Sequence, residues 1–174
     1  MRHLHDRCIH RCHRRQVSVS ETFDIITEPV GQTYRALLAF AARHSGAFSL
    51  VWRHQLLFDP PAAAIERVLR PSLIEKTVSS EWPGTTLIGH SATVRKYRLS
   101  ADSARPLAAA GGLFAWQSPA RPEDLAFYAP DGRCWLGSVA HEGDAFVILE
   151  RDDLRTLRAA VPDLQLRPSR KYGG

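Results

Sequence analysis

The sequence predicts an α+β fold: a largely antiparallel β-sheet made of two hairpin or meander units, with helices packed mainly on one face and the other face partly open. Three observations predict it. Residues 124–161 read as three consecutive strands followed by a helix, residues 73–99 read as a second hairpin, and the element order lacks the regular βαβ alternation of a parallel sheet. The 174 residues and 44% apolar content suit one soluble domain, placed at residues 17–166.

Residues 1–16 carry His3, His5, Cys8, His10, Cys12 and His13 among five arginines, with few apolar side chains to bury. The expectation is a disordered basic leader. Imidazole and thiolate are the ligands that zinc and copper prefer, so these six residues are also the candidate metal set, although the Cys8–Cys12 spacing has no paired second half.

Phe23, Ile25 and Ile26 suggest a short edge strand or docking segment. Val30, Tyr34, Leu37, Leu38 and Ala41 then recur at helical spacing, and Arg43-His44-Ser45-Gly46 supplies a basic last turn and a terminating glycine. In residues 47–53, Phe48, Leu50 and Trp52 share one parity, as in a half-buried strand. Asp59-Pro60-Pro61 opens a second helix with Ile65, Val68 and Leu69 as its buried stripe, and Arg70-Pro71 ends it.

The hairpin of residues 73–99 turns at Trp82-Pro83-Gly84-Thr85, where a Pro-Gly pair suits a type II turn. Residues 101–110 form a short helix closed by Gly111-Gly112, residues 113–116 a strand, and residues 117–122 a loop with two prolines. Leu125-Ala126-Phe127-Tyr128 is the first strand of the meander. Pro130-Asp131-Gly132 turns it, residues 133–139 return, His141-Glu142-Gly143-Asp144 turns again, and residues 145–149 complete the unit. Leu154, Leu157 and Val161 then mark a helix with Asp152 and Asp153 in its first turn. Residues 167–174 are expected to be a mobile basic tail.

The net charge of +5 belongs to the ends. Residues 17–166 hold fifteen basic and seventeen acidic side chains, so nucleic acid is expected to be bound at most weakly, through the tails. No apolar run is long enough to span a membrane and no apolar segment follows the basic N-terminus, which places the chain in the cytoplasm as an expectation. Alanine and arginine usage suggests a bacterial source.

No phosphate loop, serine elbow or CxxC pair is present. The leading expectation is therefore a small protein-binding domain without catalytic activity and without cofactor, an immunity or defence-associated partner of another protein. Trp82, before a proline in a turn, is its candidate exposed anchor, while Trp52, Trp116 and Trp135 are assigned to the core. The alternative is a hydrolase or metal-dependent enzyme using His141 and Glu142 with His90, because imidazole and carboxylate together relay protons or hold metals. Cys134 is a formal thiol nucleophile, read as packing because a mid-strand position gives no obvious thiolate stabilisation.

Overall fold

The computed structural model describes residues 19–171, so the metal expectation for the histidine- and cysteine-bearing leader lies outside the described residues. The elements in chain order are β1 (Ser20–Ile25), α1 (Gly31–His44), β2 (Ala47–Arg53), α2 (Pro60–Leu69), a single 3-10 turn (Arg70–Ser72), β3 (Leu73–Ser79), β4 (Glu81–Trp82), β5 (Thr85–Thr86) and β6 (Ala92–Arg98). After these come α3 (Ala101–Ala110), β7 (Glu123–Tyr128), β8 (Cys134–Val139), a 3-10 turn (Ala140–Glu142), β9 (Asp144–Glu150), α4 (Arg151–Ala160) and β10 (Leu166–Pro168). The α+β class is as the sequence predicts.

Eight strands form one antiparallel sheet in the order β10-β1-β9-β8-β7-β2-β6-β3, while β4 and β5 form a separate ribbon. Its chemistry is visible in two adjacent rungs. One runs Leu73–Tyr97–Phe48–Phe127–Leu136–Val147–Phe23–Pro168 across all eight strands, apolar or aromatic throughout, and packs on residues from all four helices. The next rung, Glu75–Lys96–Ser49–Ala126–Gly137–Phe146–Asp24–Arg167, points to the opposite face and has charged ends and a narrow centre. Alternation therefore places every helix on one face.

The opposite face is less open than the sequence suggests. The β4–β5 ribbon lies on it, where Trp82 packs with Val51 and Ala92 in a second apolar cluster. At Gly137 the Phe146 ring and Pro83 come so close that an added Cβ would meet them at 2.6 and 3.1 Å. This double cover explains why residues 47–52 are buried on both parities, where one buried face was expected.

Local chemistry explains the helix ends. Ser100 and Ser103 exchange side-chain-to-backbone hydrogen bonds in a capping box at the start of α3, and Gly111 ends that helix at φ 78°. Asp152 and Asp153 face the positive end of the α4 dipole, with Leu154 and Leu157 buried beneath. Three expectations are corrected. β1 pairs on both sides and is not an edge; Val68 is 59% exposed because Ala62 and Leu69 carry the α2 contact. Residues 113–116 form a buried turn segment instead of a strand, anchored by the Trp116 indole N–H donating to Tyr34 Oη at 3.0 Å. Arg167 and Pro168 at the start of the tail belong to β10, where Arg167 meets Asp24 at 3.4 Å, and Lys171 meets Asp144 at 2.6 Å.

Candidate functional site

The end of α1, the β7–β8 turn and strands β8 and β9 enclose a cleft of about 610 Å³. Phe40, Ala129, Pro130, Trp135, Ile148 and Leu149 form its apolar wall, and Arg43, His44, Arg133, Glu150 and Asp153 its charged rim. The aromatic wall is fixed from several directions. Trp135 donates its indole N–H to Ser45 Oγ at 2.8 Å, meets Phe40 edge-on at 5.4 Å and stacks on Phe127 at 5.9 Å. His44 lies flat on Phe40 at 3.9 Å, with Nδ1 2.9 Å from the Phe40 carbonyl. Arg133 is held by Asp131 at 2.7 Å and by Glu150 at 3.9 Å, whereas Arg43 has no hydrogen-bond or ion-pair partner among the described residues.

Cys134 lines this cleft, the one place among the described residues where a thiol could meet a ligand. Its chemistry points the other way. Burial pushes its pKa from 9.0 up to about 12, and the S–H is spent on the Leu136 carbonyl at 3.2 Å. A thiol so placed is neutral at physiological pH and serves as a small hydrophobe.

A second polar cluster sits under the β4–β5 ribbon. Asp124, 1% exposed, accepts from the Trp82 indole N–H at 2.8 Å and from the Ala140 amide at 3.0 Å. Its backbone stands at φ 54°, in the left-handed region that aspartate tolerates better than most residues. Burial is the main reason its carboxyl is held above the usual 3.8; the indole and amide hydrogen bonds pull the other way. The neighbouring Glu123 is buried as well and faces Arg53 at 3.4 Å.

Trp82 is thus 6% exposed and cannot be the surface anchor that its turn position suggests. Its indole staples the ribbon to the sheet. All four tryptophans are buried, and the exposed large hydrophobics, led by Ile88 and Leu57, are aliphatic.

His141 stands 3.9 Å from Glu142, but Glu142 also meets Lys171 at 3.3 Å, and both are substantially exposed. Among the described residues, no hydrogen bond, ion pair or shared cavity joins His90 to either one. The structure instead brings His141 toward the buried pair: Glu123, Asp124 and His141 each offer an atom within 4.8 Å of the others, the arrangement best able to hold a metal among the described residues. Arg53 at Glu123 and the two N–H donors at Asp124 already compensate those carboxylates, which favours a structural role. No protein-family model, curated protein or solved structure matches the chain.

Proposed function

We propose that this chain is a binding protein without catalytic activity, seating an apolar side chain of a partner protein in the Phe40–Trp135 cleft. The observation that carries the reading is the preformed apolar wall, held by the Trp135–Ser45 hydrogen bond and the Phe40 contacts, so little conformational entropy is lost on binding. The adjoining thiol is masked and protonated, which supports recognition over nucleophilic chemistry. Arg43 at the rim favours a partner residue flanked by a carboxylate. Within this proposal the setting is a bacterial cytoplasm and the partner a toxin or defence component, a setting supported only by composition and by analogy of fold class.

The dye 8-anilinonaphthalene-1-sulfonate mimics such a group, having an apolar ring system and an anionic end. Saturable one-to-one fluorescence enhancement is expected with the native chain, weakened about tenfold or more by Ile148→Arg, which puts a charge into the wall. Arg43→Gln is expected to weaken it less. Equal dye binding by all three proteins contradicts the reading.

A further inference from the structure

The two edges of the large sheet differ. At one end β10 is only Leu166–Pro168 and closes on a proline, which has no N–H to offer, whereas at the other end β3 runs over Leu73–Ser79. Within the sheet β3 pairs with β6 alone. From Glu75 to Ser79 it keeps an unbroken register with β6, and residues 73–78 are exposed, so the N–H and C=O groups turned away from β6 form an open row that a further strand can take up. Among the described residues, no backbone hydrogen bond from any other segment reaches residues 74–78.

The side chains say what kind of strand fits. Glu75, Thr77 and Ser79 line a hollow on the ribbon face together with Trp82 and Lys96, so alternation puts Lys76 and Val78 on the helix face, with Ile74 at the register shift beside them. Ile74 is 53% exposed and Val78 64%, both β-branched and apolar. Between them stands a cation. Lys76 and Arg70 border the hollow between α2 and β3, where the one carboxylate, Glu66, is already paired with Arg95; neither Lys76 nor Arg70 takes part in an ion pair among the described residues. Charge then decides between a second copy of the chain and a different protein. A second copy that pairs antiparallel, so that Ile74 of each chain meets Val78 of the other, has its two-fold axis at Lys76 and sets the two ammonium groups opposite each other. Lys76 thus guards the edge against self-pairing. A foreign strand with a carboxylate at that position gains the apolar contacts and the opposite charge together.

We propose that β3 is a strand-addition site for an extended segment of another protein, one that carries a carboxylate midway between two apolar residues on the same face of its strand. The main-chain row holds the segment, and Ile74, Lys76 and Val78 select it. Strands β7, β2 and β6 separate this edge from the Phe40–Trp135 cleft, and the proposal does not rest on what that cleft binds.

Nuclear magnetic resonance titration of the isotope-labelled full chain tests it, with a capped peptide in which threonines alternate with valine, glutamate and valine. The peptide reads alike in both directions, so neither strand polarity is favoured. Saturable shifts of the backbone amide signals along Leu73–Ser79 are expected, and the same peptide with lysine in place of glutamate is expected to bind about fivefold more weakly or worse. In Lys76→Glu, a change at an exposed position that leaves the core untouched, the order of the two peptides is expected to reverse. Val78→Lys is expected to weaken both. Absence of saturable shifts along β3 overturns the proposal, and so does an unreversed order in Lys76→Glu. Sedimentation equilibrium of the free chain tests the other occupant: no association that Val78→Lys dissociates is expected, and a dimer dissociated in that way would seat a second copy on β3 and overturn the assignment to another protein.

Discussion

Replacing Trp82 by phenylalanine keeps most of the buried ring but deletes the N–H that Asp124 accepts at 2.8 Å. Asp124 then retains the Ala140 amide as its remaining hydrogen-bond donor. A hydrogen bond to a charged group contributes about 1.5–3 kcal/mol, so a loss near 2 kcal/mol is expected at pH 7. For a chain of this length that is about 4–8 °C in melting temperature. The smaller ring adds a packing loss, and pH separates the two. Because burial raises the Asp124 pKa above 3.8, the stability its titration contributes is full below that value and is lost as pH rises through the folded-state value. The missing indole hydrogen bond lifts the folded-state pKa further. The penalty of Trp82→Phe is therefore largest at neutral pH and shrinks as Asp124 takes up a proton, whereas a packing loss is indifferent to pH. Urea unfolding of both proteins from pH 7 down to the lowest pH at which both still fold reads the difference. A penalty that stays constant over this range, or below about 0.5 kcal/mol at pH 7, refutes the staple.

Gly137→Ala is expected to cost about 1–3 kcal/mol in urea unfolding, because its Cβ would stand 2.6 Å from Phe146 Cζ and 3.1 Å from Pro83 Cβ, and a neutral result would mean that the Phe146 ring and the ribbon do not close tightly over Gly137. Tyr34→Phe removes a hydroxyl that donates to the Leu107 carbonyl at 3.1 Å and accepts from Trp116, so thermal denaturation should show a loss of roughly 1–3 kcal/mol. Burial raises Tyr34 and Tyr128 from 10.0 to about 12 and Cys134 from 9.0 to about 12. These groups fold protonated, so stability is full below their ordinary values and should fall progressively as pH rises from about 9 toward 12; an alkaline titration of stability that is flat over this range contradicts the burial argument. Peptide mapping after iodoacetamide at pH 8 should find Cys134 alkylated much more slowly in the native chain than in the unfolded one, and equal rates would restore it as a candidate nucleophile.

Periodicity carries information about neighbours along the chain, and that is where the sequence was legible. The turns at Gly132 and Gly143, both at positive φ, divide the meander as Asp131-Gly132 and Gly143-Asp144 suggest, and the change of period after Leu149 marks α4. The same logic failed where distant segments meet. Residues 47–52 alternate as a one-sided strand does, yet the ribbon from residues 81–86 covers their second face, a contact no local pattern encodes. Trp82 reads as an exposed turn residue because its partner, Asp124, lies forty-two positions away. The cleft combines α1, the β7–β8 turn, β9 and α4, and its apolar residues look like ordinary core positions in the sequence. Ser45 gave no signal either, since its part is to fix the Trp135 ring. His141 and Glu142 stood out for being adjacent, whereas the buried carboxylates near His141 come from β7.

Quantitative affinity capture from the source cells with the full chain tests the recognition claim most directly, comparing wild type, Ile148→Arg and Tyr97→Phe at equal folded amounts. The account predicts a protein enriched on wild type, reduced about tenfold, or 1.4 kcal/mol, by the charge at position 148 and unaffected by that variant's folding state. Tyr97→Phe keeps the cleft intact and should retain the same protein. A partner held equally well by Ile148→Arg would show that recognition occurs elsewhere, and turnover of a substrate lost on changing Cys134 or His141 would contradict a purely binding role.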